Sequence, residues 1–391
     1  MTAVRPEAEV QVPPAIGDTA EVPVVVGPTG PPAPPSDPPR PGRRAADVPR
    51  IIGKRTSDEI LSFLGSGVAS LCLTWVLYSL VLGLQGVLGF CIVWYVAFLA
   101  MYAGVTALSQ PRTLVVDRLM EAVVSAGALV VFGALVTTLV YTVIKGIPAL
   151  LNANFYTEDM AGVRPTDPLS AGGILHAVVG TLIQVGIAVV IALPLGIGTA
   201  VYMTEVGSTG ARIVRTVVEA MTALPDILAG LFIYVTLILA LGVPRSGFAA
   251  AMALTVMMTP IIARSAEVQL RVVPGGLREA SLALGASQWR TVRGVVLPTA
   301  KAGLATAVIL GIARAIGETA PVLITSGAST FLNVNPFQDP MNSLPLFSLF
   351  AVRSGQDLYI QRGFGAATVL LILVTFLFVL TRWLARDKQG R

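Results

Sequence analysis

The stretch "ILGIARAIGETAPVLIT", residues 309–325, is an apolar run that nevertheless carries Arg314 and Glu318. Counted from Lys301, Arg314 lies 13 residues into a predicted span, or about 20 Å along a helix that rises 1.5 Å per residue. That depth is well inside a hydrocarbon core of roughly 30 Å, where an Arg or a Glu costs at least about 2.5 kcal/mol. Charged side chains at such a depth face a bundle interior or an aqueous path. The stretch therefore indicates an all-α, polytopic membrane protein with a polar pathway.

The composition of the whole chain supports this fold class. Hydrophobic residues make up 54% of the 391 positions, charged residues 13%, and the mean hydropathy is +0.77. Because a soluble domain carries about 25% charged residues, this chain could not coat a globule with polar groups. The net charge of +5 does not indicate nucleic acid, since the basic residues cluster in short loops and tails. Cys72 and Cys91 both fall inside apolar segments, which predicts buried packing rather than a disulfide.

Eight apolar stretches reach the length of roughly 20 residues that a membrane-crossing helix needs. They lie at roughly 60–82, 86–108, 119–144, 174–203, 224–242, 247–265, 302–326 and 364–384. With the N-terminus in the cytoplasm, 21 of the 27 Lys and Arg residues fall on the cytoplasmic side and five on the other. The positive-inside rule then predicts a multi-pass plasma-membrane protein with both termini cytoplasmic. Two polar excursions, 145–173 and 327–363, are predicted on the outside.

The first 58 residues differ from the rest of the chain. They hold 13 of the 27 prolines and end in a basic cluster. Proline-rich, polar sequence forms neither a helix interior nor a packed core, so residues 1–58 are predicted to be a disordered cytoplasmic tail. Residues 59–110 then contain the first two predicted spans.

The cytoplasmic segment 266–301, "AEVQLRVVPGGLREASLALGASQWRTVRGVVLPTAK", is too rich in helix formers to be a plain linker. Its apolar spacing predicts a short helix over residues 277–284 that Gly285 ends. Residues 289–296 continue at helical spacing, and Pro298 is predicted to close the unit before the next span.

This segment resembles the EAA loop of ABC importer permeases. The resemblance rests on Glu279, Ala280, Ser281, Gly285, Leu297 and Pro298, with Ser281 and Val295 in place of the family's Ala and Ile. It implies a helix–turn–helix that docks on a cytoplasmic ATPase subunit and transmits its movement. The chain itself has no phosphate-binding loop of the G-x-x-x-x-G-K-[ST] type, so the energy source would be a separate protein and the chain no enzyme. The alternative is an ordinary amphipathic helix on the membrane surface.

A second resemblance points to a substrate. "ARAIGETAP" at 313–321 and "TALPDILAGLF" at 222–232 are similar to phosphate-specific permeases of the PstA type. The similarity covers about residues 170–385 and implies a six-span permease core within residues 111–391, with residues 59–110 as an addition. It also implies four kinds of partner: a second homologous permease forming a heterodimer, two ATPase subunits, an extracytoplasmic phosphate-binding protein, and phosphate itself. We expect no cofactor on this chain, since ATP and Mg would bind the ATPase.

The residues themselves suggest how an anion would be recognised. Arg314 and Glu318 lie four apart on one predicted helix face, and Pro321 would free the carbonyl of Gly317 beside them. The Arg guanidinium suits phosphate or carboxylate. Glu318 can neutralise Arg314 in the empty state and accept a hydrogen bond from a protonated oxygen, which phosphate carries near neutral pH and sulfate lacks. A purely structural ion pair is the alternative. Asp226, after Pro225, is interpreted as a helix start rather than a substrate contact.

Three rival functions stay open at this stage. The first is an ABC permease for another oxyanion or an organic anion. The second is a secondary transporter with Glu318 as proton carrier, which the EAA-like loop disfavours. The third is a membrane-anchored scaffold that acts through residues 1–58. His176 is the single histidine, and no cluster of His, Asp and Glu suggests a catalytic or metal site.

Overall fold

The computed structural model describes residues 57–386, which fold into helices and connecting loops with no strand among them. The prediction for the tail, residues 1–58, lies almost entirely outside the described residues. Two compact units share the chain, the first reaching Met120 and the second beginning at Glu121. Seven helices between residues 57 and 386 are long and apolar enough to cross a membrane, and an eighth crossing results if one bent pair counts as a single span. The predicted all-α, polytopic fold is confirmed.

The first unit contains α1 (Ser57–Trp75), α2 (Val87–Ser109) and the beginning of α3 (Arg112–Leu150). α1 and α2 pack together and correspond to the first two predicted spans. Cys72 and Cys91 are free and exposed, so the predicted burial of both thiols is wrong. The buried positions of α1 are instead polar and four residues apart, and Cys72 lies off that face. They are Ser66, Ser70 and Thr74.

The second unit contains the rest of α3 and eleven further helices. In chain order they are α4 (Asn154–Thr157), α5 (Leu175–Glu205), α6 (Thr209–Ala223), α7 (Asp226–Ile233), α8 (Gly247–Arg271), α9 (Gly275–Ala283), α10 (Gln288–Thr291), α11 (Leu297–Ile316), α12 (Ala320–Thr325), α13 (Leu344–Arg353) and α14 (Asp357–Arg386). A π-helical stretch, Tyr234–Ala240, extends α7, and another, Val292–Val296, joins α10 to α11.

Helix α8 lies at the centre of this unit, with α5, α6, α7, α11 and α12 packed against it. Its sequence allows close approach because many of its buried residues are alanines. Two glycines bring neighbouring helices onto one side chain of α8. A Cβ at Gly196 of α5, or at Gly311 of α11, would lie 2.7 Å from a side-chain carbon of Ile262. These two glycines therefore permit tight packing of α5 and α11 against α8.

The seventh predicted span, 302–326, is not one continuous helix. A helical stretch runs from Gln288 to Ile316, and α12 begins only at Ala320. Pro298 lies within this helical stretch, just after the π-helical turn Val292–Val296, and so does not close the loop unit as predicted. Pro321 starts α12 instead of interrupting a helix.

The fifth predicted span, 224–242, corresponds to α7 and its π-helical extension, which run from Asp226 to Ala240, and the helix before it turns sharply. α6 and α7 form a bent pair with an angle of 103° at residues 224–225. Leu224 and Pro225 are extended there, with ψ angles of 138° and 134°. The bend has a local cause, because a proline disfavours helical backbone at the residue before it. We call this bend, residues 224–226, the elbow.

The two predicted polar excursions join each other. The backbone N–H of Leu332 donates to Asp159 at 2.8 Å, and that of Met160 donates to the carbonyl of Thr330 at 2.8 Å. The second excursion is not wholly irregular, because it contains α13, whose first four residues are buried. Arg362 of α14 is fully buried, and its Nη2 donates to the carbonyls of residues 167, 168 and 171, which fixes the first excursion.

Candidate functional site

Arg314 lies in the last turn of α11, next to the break before α12. Its Nη2 donates a hydrogen bond of 2.7 Å to Oδ2 of Asp226, and its Nε lies 3.5 Å from Oε1 of Glu318. The side chain is 51% exposed, so about half of it is accessible. The predicted pairing of Arg314 with Glu318 is present, although Glu318 lies just beyond the end of α11 rather than on its face.

Asp226 is the residue that the sequence interpretation undervalued. It is the first residue of α7, as a helix start requires, and it also forms the shorter of the two ion pairs with Arg314. α7 is held beside α12 by a close contact, since a Cβ at Gly230 would lie 2.6 Å from Cα of Pro321. This contact brings the elbow next to the break that follows α11. The signal in the sequence for Asp226 was an acidic residue directly after a proline at the start of an apolar stretch.

A cavity of about 590 Å³ lies against this ion pair. Its polar lining residues are Thr222, Asp226, Arg264, Ser265 and Arg314, and the remaining lining is apolar. Glu318 is not among the described residues that line it, and its side chain is 16% exposed. An anion in the cavity would thus meet the guanidinium groups of Arg314 and Arg264 and the carboxylate of Asp226 before it meets Glu318.

A buried carboxylate lies on the same helix as part of this lining. Glu267 of α8 is 1% exposed and contacts three guanidinium groups, those of Arg215, Arg264 and Arg271, at 2.8, 3.0 and 2.7 Å. Arg264 also lies 3.2 Å from Glu219 of α6. Sequence spacing alone does not reveal this cluster, because its members are spread over α6 and α8. It ties α6 to α8 beside the cavity.

The EAA-like segment folds as a helix, a turn and a second helix, as predicted. Residues 275–283 form α9, and Gly285 follows with a φ of +83°, a backbone conformation that favours glycine. Ser281 and Thr291 share a hydrogen bond of 2.9 Å between the two arms. The segment presents an open surface, since Glu279 and Ala280 are exposed. Leu297 and Pro298 form the first turn of α11.

Two further titratable residues, His176 and Asp159, lie away from this cavity. His176 is buried, with its ring packed edge-on against Phe347 at 5.3 Å. Asp159 lies outside the spans; burial acts to raise its pKa, but hydrogen bonds from the N–H groups of Ala161 and Leu332 outweigh this and hold that pKa below its ordinary value. No group of three or more His, Cys, Asp or Glu residues arranged to hold a metal occurs in residues 57–386.

Comparison with known proteins identifies the family. Residues 192–389 match the family of the binding-protein-dependent transport system inner membrane component. The phosphate transport system permease protein PstA 1 of Mycobacterium tuberculosis (strain CDC 1551 / Oshkosh) is 40% identical over 242 residues, which cover 61% of this chain and 79% of that protein. The chain belongs to the PstA-type ABC permeases. The PstA protein of Mycobacterium leprae is 41% identical over 241 residues, covering 61% of this chain and 79% of the relative.

Among solved structures, the MetNI methionine ABC transporter in an inward-facing conformation matches with 25% identity and a TM-score of 0.43. That match covers 55% of this chain and 93% of the other. Membership of the permease family makes this chain a multi-pass membrane transport subunit rather than an enzyme, and permeases of this family work with an ATPase and a binding protein.

Proposed function

We propose that this chain is one half of the translocation pathway of an ATP-driven importer that carries inorganic phosphate into the cytoplasm. The names of its relatives support phosphate as the substrate, since the proteins at 40 and 41% identity are phosphate transport permeases. The observation that carries the proposal is the half-exposed guanidinium of Arg314 on the wall of a cavity of about 590 Å³. A planar set of N–H donors in such a place suits a tetrahedral oxyanion.

In this proposal Arg314 binds the anion and Glu318 assists it. Guanidinium donors that Asp226 does not take are open to the cavity side. Glu318 lies 3.5 Å from Nε and can accept a hydrogen bond from a protonated phosphate oxygen. Because sulfate carries no such proton near neutral pH, the same carboxylate would disfavour it.

Coupling to ATP hydrolysis is assigned to the EAA-like segment. Glu279, Ala280 and Ser281 on α9 and the turn at Gly285 would dock on the ATPase, with Leu297 and Pro298 carrying the movement into α11. α11 also holds Arg314, so one helix connects the docking surface to the anion site. The specific partners proposed are a second homologous permease in a heterodimer, two ATPase subunits and an extracytoplasmic phosphate-binding protein. ATP and Mg would bind the ATPase, with no cofactor on this chain and both termini in the cytoplasm.

The test is ATP-driven uptake by the complete complex in reconstituted vesicles, comparing phosphate with sulfate. We expect phosphate uptake by the native complex and its loss in Arg314→Ala, with membrane insertion and ATPase binding retained. Arg112→Ala, an exposed arginine at the start of α3, is the matched control and should transport normally. Normal uptake by Arg314→Ala would show that Arg314 does not contact the substrate. Uptake of sulfate or an organic anion in preference to phosphate would show that phosphate is not the substrate.

A further inference from the structure

The guanidinium of Arg314, which the proposed function assigns to the substrate, is already hydrogen-bonded to Asp226. Its Oδ2 accepts a hydrogen bond of 2.7 Å from Nη2 of Arg314, and both residues line the cavity. Glu318 approaches the same guanidinium at Nε, at 3.5 Å. The cation thus lies between two carboxylates, and the one on the cavity wall is that of Asp226.

A helix start does not require this arrangement. Asp357 also occupies the first turn of its helix, α14, so an acid at a helix N-terminus occurs in this unit without a place on the cavity wall. Asp226 is brought to Arg314 by the elbow, and α7 is held there by the contact of Gly230 with Pro321. Its side chain is 31% exposed, which leaves part of the carboxylate accessible from the cavity.

We propose that Asp226 determines which oxyanion the site accepts: it pairs with Arg314 when the site is empty and accepts a hydrogen bond from a protonated oxygen of the bound anion. This inference rests on the proposed function, because it requires that the anion binds Arg314.

The charges explain why a protonated anion fits. Arg314 with its two carboxylates carries a formal charge of −1. Arg264, the other cation on the cavity wall, is paired with Glu219 and Glu267. Monobasic phosphate has two P–OH groups, which can donate one hydrogen bond to each of Asp226 and Glu318. Its two other oxygens then accept from the guanidinium of Arg314. Sulfate carries two negative charges and no O–H group, so it cannot donate a hydrogen bond to either carboxylate. If it took the guanidinium of Arg314, both carboxylates would lose their partner. The two acceptors therefore match the two hydroxyls of monobasic phosphate.

The experiment measures anion competition on the assembled complex of this chain with its permease and ATPase partners, in lipid nanodiscs without the binding protein. Radiolabelled inorganic phosphate is bound at neutral pH and displaced with sulfate. In Asp226→Asn the sulfate concentration for half displacement should fall by at least about tenfold, because the amide can donate to a fully ionised oxygen and carries no charge. Asp226→Glu keeps the acid and should retain most of the discrimination. Asp357→Asn, which removes an acid from another helix start, should leave it unchanged.

The outcomes separate this inference from the proposed function. Arg314→Gln is included as the reference for the site itself and should abolish phosphate binding. Suppose that it does, and that the assembled Asp226→Asn complex rejects sulfate to the same degree as the native complex. The role of Asp226 is then overturned, and the proposed function is unaffected. If Arg314→Gln binds phosphate normally, or the native complex shows no saturable phosphate binding, then the proposed anion site at Arg314 is wrong, and so is the inference about Asp226. Assembly with the partners is checked by size-exclusion chromatography for every variant.

Discussion

Arg278 donates hydrogen bonds from Nε and Nη2 to Oε1 of Glu205, at 3.2 and 3.0 Å. The same guanidinium donates to the carbonyls of Leu270 and Val273, at 2.8 and 2.7 Å. Arg278 is on α9, Glu205 ends α5, and the two carbonyls belong to the end of α8 and the residues after it. One side chain next to Glu279 thereby joins the proposed docking helix to two helices of the central bundle.

We expect Arg278→Met to uncouple ATP hydrolysis from transport. The methionine keeps the apolar stem but loses every hydrogen bond to Glu205 and to the end of α8, so movement of α9 would no longer pull on the bundle. Phosphate uptake by the reconstituted complex should fall at least about tenfold while ATP hydrolysis continues. Arg290→Met, an exposed arginine of the second arm, serves as the control. Uptake that stays proportional to hydrolysis in Arg278→Met would contradict this coupling path.

Gly285 is expected to be sensitive to backbone conformation rather than to volume. Its φ is +83°, and an added Cβ would meet no atom within 4 Å. Gly285→Val should therefore be strained, at a cost of about 1–2 kcal/mol, whereas Gly285→Asn should be tolerated better because Asn adopts left-handed backbone more readily. Gly285→Pro, which demands a negative φ, should disrupt the turn most. The measurement is co-purification of the ATPase with each variant.

Exposed Glu279 provides a companion test for the same surface. Glu279→Lys reverses the charge without altering the turn, so it should weaken ATPase binding while α9 remains folded. Equal co-purification of the ATPase with Glu279→Lys, Gly285→Pro and the native chain would show that this segment is not the docking surface.

The link between the two excursions should depend on pH through Asp159. Because its pKa in the folded protein lies below the ordinary value, its carboxylate contributes stability above about pH 4, the unfolded pKa. That contribution is lost as the pH falls through the folded pKa. Asp159→Asn should therefore increase protease cleavage of the two excursions at neutral pH, and the difference from the native protein should vanish in acid. Cleavage that differs equally at every pH would indicate that the ionised carboxylate is not responsible.

Much of the fold followed from the sequence because long apolar runs in lipid have few alternatives to helix. The failures occurred where polar side chains or backbone breaks interrupt such runs. Span 302–326 was predicted from its apolar length as one span, yet the helix breaks between Ile316 and Ala320. Span 224–242 was predicted with its helix start after Pro225, as the structure has it, but the 103° angle to the preceding helix α6 was not predicted.

The candidate site was predictable in part. Arg314 and Glu318 are close in sequence, so helical spacing was enough to pair them. Asp226 is 88 residues from Arg314 and meets it only because α7 packs on α12. Glu205 and Arg278 are 73 residues apart and meet in the same way. Local spacing carries no information about contacts between residues so far apart in the sequence. A resemblance to a single motif does not predict such contacts either.

Glu267 provides the sharpest test of a contact that sequence spacing did not reveal. Its carboxylate is 1% exposed and compensates three arginines at 2.7–3.0 Å, so Glu267→Ala would remove the shared counter-ion of three guanidinium groups that are 30–57% exposed. Removing one partner of a fully buried ion pair costs about 3–5 kcal/mol; solvent at the half-exposed arginines reduces that cost, but the loss should still lower the unfolding temperature of the purified chain in detergent. Glu219→Ala is the matched control: Glu219 contacts Arg264 but is 51% exposed, and an exposed pair is worth about 0–1 kcal/mol. Equal destabilisation by the two substitutions would mean that the cluster around Glu267 does not hold α6 against α8.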